Sequence, residues 1–334
     1  MLDLHDKSLL ITGGTGFLGK EIASHILFNY SEIKRLVIFS RDEQKQNLMS
    51  REFPIEKYPQ LEFIIGDVRD KERLIDVFSE IDYVIHTAAM KHVHISEDNP
   101  SECVKTNVGG AENVINACLK NNVKIVVALS TDKACKPESI YGASKLISDR
   151  LFISANSFKN EAETKFTVVR CGNIFGSTGS IVPYFKDRLK KSQTLPITDD
   201  RMSRFNISNQ NAVELIFYAL ENTWGGELFV PKSSSYRIID LAKAICEDCK
   251  ISIIGKRPGE KLFEEMISND DSHRTYDLKK CFAILPNKPR WNLDDYIKTM
   301  QATKVQNNFQ YNSRDNNTWE TVESLKNKLF TKSL

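Results

Sequence analysis

Ser8-Leu9-Leu10-Ile11-Thr12-Gly13-Gly14-Thr15-Gly16-Phe17-Leu18-Gly19 is the stretch whose reading decides the fold. The first five residues are mostly apolar and have the length of a buried parallel strand. Gly13, Gly16 and Gly19 then make G-x-x-G-x-x-G, and a helical run follows from Lys20 to Phe28. Glycines between a strand and a helix permit a tight turn and let a pyrophosphate approach the helix N-terminus. The spacing predicts a nucleotide cofactor lying on this turn.

The same alternation continues outward. Arg35–Phe39, Glu62–Ile65, Tyr83–His86, Ile125–Leu129 and Phe166–Arg170 read as strands, and Asn99–Leu119 and Tyr141–Phe158 as helices. This order predicts an α/β fold, a doubly wound (Rossmann) parallel sheet with a smaller C-terminal substrate-binding lobe. Residues 1–172 read as the dinucleotide domain, completed by about 206–231. Residues 173–205 and 232–290 read as the substrate lobe, and 291–334 as a C-terminal extension. Within that extension 300–315 is polar and reads as a surface excursion, and Trp319–Phe330 as a closing amphipathic helix. No internal repeat is present.

The strand ends carry the chemistry. Strand two ends in Ser40-Arg41 where an NAD site usually has an acid for the ribose 2′-OH. A guanidinium there suits a 2′-phosphate. This favours NADP, although Asp42 and Glu43 stand close by. Asp67 reads either as a reader of the adenine edge or as the cap of the next helix. Small residues in Thr87-Ala88-Ala89-Met90-Lys91 leave room for a cofactor and put Lys91 near its nicotinamide end. His92 and His94 read as loop residues rather than metal ligands, and no metal site is expected. Asn107 inside a helix has poor propensity and points to a buried polar role.

Strand five runs into Ser130-Thr131-Asp132-Lys133, and Tyr141-Gly142-Ala143-Ser144-Lys145 follows. Tyr141 and Lys145, four apart, share a helical face. A nearby ammonium favours the phenolate and makes a tyrosine a usable base. A chance Y-x-x-x-K occurs in many helices, and a Thr-Asp pair is a common helix cap. The glycine turn and the Ser/Thr before the tyrosine raise both above that background. Arginines in Pro/Gly loops of the second lobe, in Arg201-Met-Ser-Arg204 and Lys256-Arg257-Pro258-Gly259-Glu260-Lys261, suit the clamping of a diphosphate.

A net charge of +2 with 27% charged residues leaves no polybasic surface, which argues against nucleic acid. The chain enters a strand within its first ten residues and has no apolar run near the ~20 residues of a membrane span. A cytoplasmic location is the expectation. Seven scattered cysteines read as free thiols, including Cys246 and Cys249, which form a C-x-x-C within a helical pattern, Ile239–Cys249.

Taken together, these motifs resemble the extended short-chain dehydrogenase/reductase family, whose sugar-nucleotide branch spans the whole chain. Retaining 4,6-dehydratases carry Thr-Asp-Glu before the tyrosine, whereas this chain has Thr131-Asp132-Lys133. That triplet, with Phe39-Ser40-Arg41-Asp42-Glu43, Gly66-Asp67-Val68-Arg69-Asp70, Arg201–Phe205 and Arg257–Lys261, is similar to the inverting UDP-N-acetylglucosamine 4,6-dehydratases, which open the route to pseudaminic acid on flagellins and surface polysaccharides. The resemblance implies that Tyr141, its pKa lowered by Lys145, takes the sugar 4-OH proton, and that Thr131 holds the 4-oxygen. It implies Asp132 as acid for the 6-OH and Lys133, partly neutral, as the C5 base. NADP would be held by Gly13, Thr15, Gly16, Phe17, Leu18, Gly19, Ser40, Arg41, Lys45, Asp67, Val68, Ala88, Lys91, Tyr141 and Lys145. UDP-N-acetylglucosamine would be held by Lys91, Asn173, Arg204, Arg257 and Glu260, and a homo-oligomer is implied. Two positions depart from the family pattern: Phe17-Leu18 in place of Ser-Phe, and His86-Thr87 in place of an asparagine. A UDP-sugar 4-epimerase, a retaining dehydratase and a non-catalytic NADP-binding scaffold are the competing readings.

Overall fold

The computed structural model describes residues 3–158, 161, 163–177, 179–192 and 194–331. The first half alternates as its sequence pattern requires: β1 Ser8–Thr12, α1 Phe17–Asn29, β2 Arg35–Ser40, α2 Glu43–Glu52, β3 Leu61–Ile65, α3 Lys71–Val77 and β4 Tyr83–His86. After α4 Val93–Asp98, α5 Pro100–Val104 and α6 Gly110–Lys120 come β5 Ile125–Thr131, α7 Ile140–Ala155 and β6 Lys165–Cys171. The expected single helix over 99–119 is instead α5 and α6 joined by a π-helical turn, Lys105–Gly109, that contains Asn107.

The second half comprises α8 Ile181–Leu189, β7 Thr194–Ile197, β8 Ser203–Asn206, α9 Asn209–Asn222, β9 Leu228–Pro231, β10 Ser234–Arg237, α10 Ile238–Ile245 and β11 Lys250–Ile253. It closes with β12 Glu265–Ile267, β13 Thr275–Asp277, β14 Cys281–Ile284, α11 Leu293–Met300, β15 Thr303–Lys304, β16 Tyr311–Asn312 and α12 Val322–Thr331.

The main sheet has ten strands in the order β15-β13-β14-β9-β6-β5-β4-β1-β2-β3. The seven from β9 to β3 are parallel, and β14, β13 and β15 add antiparallel at the other edge. Apolar clusters cover both faces of this sheet, as a parallel sheet demands. A third cluster, built on α8, β7, α10 and α12, forms the core of the smaller lobe.

Three expectations are corrected here. The chain returns to the main sheet at β13 and β14, so residues 275–284 belong to the sheet rather than to the substrate lobe. Residues 300–315 are a surface excursion only in part: much of 301–310 is exposed, whereas Tyr311–Ser313 are buried. β15 pairs with β13, β16 pairs with β12, and Tyr311 packs on Phe205 and Phe282. Its polar composition hid this because two two-residue strands carry no readable period. Cys246 and Cys249 are paired as a disulfide rather than free, because α10 ends at Ile245 and the chain turns there, bringing their Cα atoms to 5.5 Å.

Candidate active site

The carboxyl ends of β1, β2, β4, β5 and β6 open into one cleft of about 1060 Å³ between the sheet and the smaller lobe. Ligands of doubly wound sheets lie in such a crevice, and the volume exceeds what one small ligand fills. Gly13 has φ +67°, and a Cβ there would come to 2.8 Å of the Ala88 backbone. Only glycine fits a turn so close to the β4 loop. Gly16 caps α1 with no side-chain hydrogen bond, so the helix N-terminus presents its N–H groups to the cleft beside Thr15, Phe17, Leu18 and Gly19.

Behind the turn, the substitution of His86-Thr87 is accommodated by Thr12. His86 is buried and shares a 2.7 Å hydrogen bond between Nδ1 and Thr12 Oγ1, while Thr87 Oγ1 donates to Thr12 O at 2.7 Å. Burial, and then the Lys145 charge, push His86 down to about 3, so it is neutral.

At the far end of the turn, Ser40 is buried and accepts from Gln46, whereas Arg41 is more than half exposed and only loosely paired with Asp67, at 3.5 Å. Asp67 is no helix cap: Asp70 caps α3, and Asp67 is gripped by Arg69 through Nε at 2.9 Å and Nη2 at 2.7 Å. Burial raises the Asp67 pKa, but the Arg69 hydrogen bonds and Arg41 bring it below its ordinary value. Lys45 pairs with Asp42, and both line the cleft with Val68, Ala88 and Lys91. These donors, the glycine cradle and the exposed guanidinium fit a dinucleotide phosphate backbone.

The catalytic candidates converge where β5 ends. Thr131 closes the strand, Asp132–Ala134 make one 3₁₀ turn, and Ser139 caps α7 by accepting from Gly142 N. A Cβ at Gly142 would collide with the Lys133 carbonyl oxygen, so glycine lets the first turn of α7 seat against the 3₁₀ turn. This puts Tyr141 and Lys145, both buried on α7, beside Thr131 and Lys133. Asn107 anchors the neighbouring loop: its Oδ1 accepts from Met90 N at 2.8 Å, and its Nδ2 donates to Met90 O at 3.0 Å and Ser144 Oγ at 2.9 Å. The π turn thus turns a buried asparagine toward the site, a common use of such irregularities.

Two expected charge states are overturned. Burial pushes Tyr141 up to about 12, opposed by the Lys133 charge and a hydrogen bond with Thr131, and Lys145 is itself pulled down by burial. Lys133 is not partly neutral either. Its Nζ donates to Asp132 Oδ1 at 3.0 Å and pairs with Glu264 Oε1 at 3.0 Å, with Asn173 Oδ1 at 3.4 Å. Burial disfavours the ammonium, but the two carboxylates outweigh it and raise its pKa. Asp132 is fully buried under the cleft floor, and burial plus Glu264 raise its pKa despite Lys133.

Glu264 was not legible as a site residue. Its only sequence signal is an acid pair, Glu264-Glu265, wedged between Phe263 and Met266. Arg204 Nε lies 3.6 Å from its Oε1, and the Arg204 guanidinium also donates to Ser203 O and Leu262 O. Arg257 lies further out and exposed, where Glu260 Oε2 accepts from its N–H at 3.1 Å. Ser130, Asp149 and Arg170 form a buried chain below the site, with Ser130 Oγ donating to Asp149 Oδ2 at 2.7 Å. Among the described residues no cluster suited to a metal ion is present. No helix there is long and apolar enough to cross a membrane.

A dinucleotide-type sheet, a glycine turn and a Tyr/Lys pair beside the Thr131–Lys133 segment define an extended short-chain dehydrogenase/reductase. The polysaccharide biosynthesis protein family matches residues 9–286. A Campylobacter jejuni protein named UDP-N-acetylglucosamine 4,6-dehydratase (inverting) is 47% identical over 96% of both chains. A UDP-glucose 4-epimerase from Rickettsia canadensis is 40% identical over 84% of this chain and 83% of its own. The crystal structure of Pen from Bacillus thuringiensis superposes with a TM-score of 0.89 at 36% identity, covering 99% of each chain. The chain belongs to the polysaccharide biosynthesis protein family, among relatives of the inverting UDP-N-acetylglucosamine 4,6-dehydratases.

Proposed function

We propose that this protein is a UDP-N-acetylglucosamine 4,6-dehydratase that inverts C5, a hydro-lyase that gives UDP-2-acetamido-2,6-dideoxy-β-L-arabino-hex-4-ulose for pseudaminic acid or a related surface sugar. The observation that carries the reading is the Asp132–Lys133 pair at 3.0 Å beside Tyr141. A 4-epimerase has no C5–H or C6–O bond to break and needs no such pair.

A nicotinamide dinucleotide on the glycine turn, NADP by the exposure of Arg41, supplies the site with a hydride acceptor and donor. Tyr141 takes the 4-OH proton, and the Thr131 hydroxyl, which donates to Asp132 Oδ1 at 3.1 Å, would turn to the 4-oxygen as the sugar binds. The Lys133 charge beside Tyr141 lowers the cost of the phenolate. Asp132, its pKa raised, is a proton donor for the departing 6-hydroxyl. Lys91, Asn173, Arg204, Arg257 and Glu260 line the cleft on the side where the UDP-sugar would lie. A homo-oligomer in the cytoplasm is part of the same reading.

Incubation with UDP-N-acetylglucosamine in D₂O, followed by NMR at early times, tests the reading. The expected product is a 6-deoxy-4-keto sugar of L-arabino configuration with deuterium at C5. A C4 epimer that keeps its 6-hydroxyl would make the protein an epimerase, and an early D-xylo product would make it a retaining dehydratase.

A further inference from the structure

Two buried carboxyl groups share one ammonium in this cleft, and each keeps an oxygen, Asp132 Oδ2 and Glu264 Oε2, with no hydrogen-bond partner among the described residues. Such orphaned oxygens are rare in folded proteins and call for an explanation. The two groups are not equivalent. Asp132 Oδ1 already accepts a second hydrogen bond from Thr131 at 3.1 Å, and the group is fully buried. Glu264 lines the cleft with Lys133 and is held ionised by Lys133 and Arg204 against its burial. An ammonium has no lone pair, so Lys133 cannot take a carbon-bound proton until it has lost one of its own.

We propose that Glu264 is the positioning residue and proton acceptor for Lys133, taking the Nζ proton so that the neutral amine can remove the C5 proton of the substrate. This rests on the dehydratase reading. The Nζ–H bond facing Glu264 breaks, its proton bonds to the Glu264 carboxylate, and the nitrogen keeps the electron pair. The amine then takes the C5 proton, the C–H electron pair moving toward the C4 ketone and then expelling the C6 hydroxyl, which leaves as water with the proton of Asp132, a neutral carboxylic acid at the start of the cycle. Lys133 can next pass its extra proton to Asp132 and recover one from Glu264, which restores all three groups. The proton finally delivered to C5 is matched by the one that Tyr141 gained from the 4-OH. The proton arrives at Glu264 Oε1, 3.0 Å from Nζ, while Oε2 has no hydrogen-bond partner among the described residues.

Glu264→Gln keeps the shape and an acceptor for Lys133 but cannot take a proton, and Glu264→Asp keeps the proton chemistry on a shorter stem. With UDP-N-acetylglucosamine, E264Q should lose ~10²-fold or more in kcat while KM changes by less than about threefold. Oxidation at C4 precedes the blocked step, so mixing E264Q with substrate should make the near-ultraviolet absorbance of reduced nicotinamide build up and persist. Deuterium entry at C5 should fall in step with kcat, and E264D should stand roughly tenfold above E264Q. The proposal is overturned by E264Q within about threefold of wild type, by an E264D no better than E264Q, or by an E264Q that loses substrate binding and nicotinamide reduction alike. A wild type that binds UDP-N-acetylglucosamine without dehydrating it overturns the dehydratase reading and this proposal with it. A wild type that dehydrates beside an unimpaired E264Q overturns the proposal alone.

Discussion

Replacing Lys133 with methionine removes the one ammonium that Asp132 and Glu264 both contact at 3.0 Å. Methionine keeps much of the stem's volume, so the loss is chiefly of charge. Breaking a buried ion pair by deleting one partner costs about 3–5 kcal/mol, because the remaining charge has lost its compensation. At about 2.1 cal/mol/K of unfolding entropy per residue, a chain of 334 residues loses on the order of 4–7 °C in Tm. The deficit should depend on pH. Without Lys133, burial and mutual repulsion raise the folded-state pKa of the carboxylate pair above its unfolded value. A raised carboxylate contributes stability that is present at low pH and is lost as pH rises through the folded pKa. K133M should therefore lie closest to wild type near pH 5 and fall behind as pH rises through neutrality. Differential scanning calorimetry of both proteins across that range measures this. A K133M with wild-type Tm at neutral pH, or one whose deficit grows on acidification, would refute the charge bridge.

Tyr141→Phe should bind cofactor and substrate as wild type does and lose ~10²–10⁴-fold in turnover; turnover within a factor of about ten in a steady-state assay would take Tyr141 out of the base role. Arg41→Ala should weaken NADP by about 1.5–3 kcal/mol, the worth of a charge-assisted contact, and leave NAD affinity unchanged; equal losses for both in calorimetric titration would end the 2′-phosphate argument. Asn107→Ala leaves Met90 N and O without their 2.8 and 3.0 Å partners, so a loss of about 1–3 kcal/mol in denaturant unfolding is expected, and an unchanged midpoint would contradict it.

Much of the molecule was legible in local pattern. The apolar run Ser8–Thr12 and the glycines after it specify β1, the turn and α1, because strand burial, tight turns and helix starts are set by residues adjacent in the chain. Tyr141 and Lys145 lie on one buried face of α7 by helical period alone. The charge on Lys133 depends on Glu264, which arrives from the distant loop before β12, so a sequence that shows Lys133 beside Asp132 cannot show that two carboxylates hold it protonated. Burial likewise decided Tyr141, whose phenol is pushed up to about 12 by surroundings that no i,i+4 spacing reports. Periodicity over two-residue strands is unreadable, which is why 300–315 looked like surface throughout and the tertiary pairing of β15 and β16 had to reveal otherwise. Sequence determined which side chains are present and where the sheet would place them; only folding set the distances between charges, and with them the protonation each side chain carries.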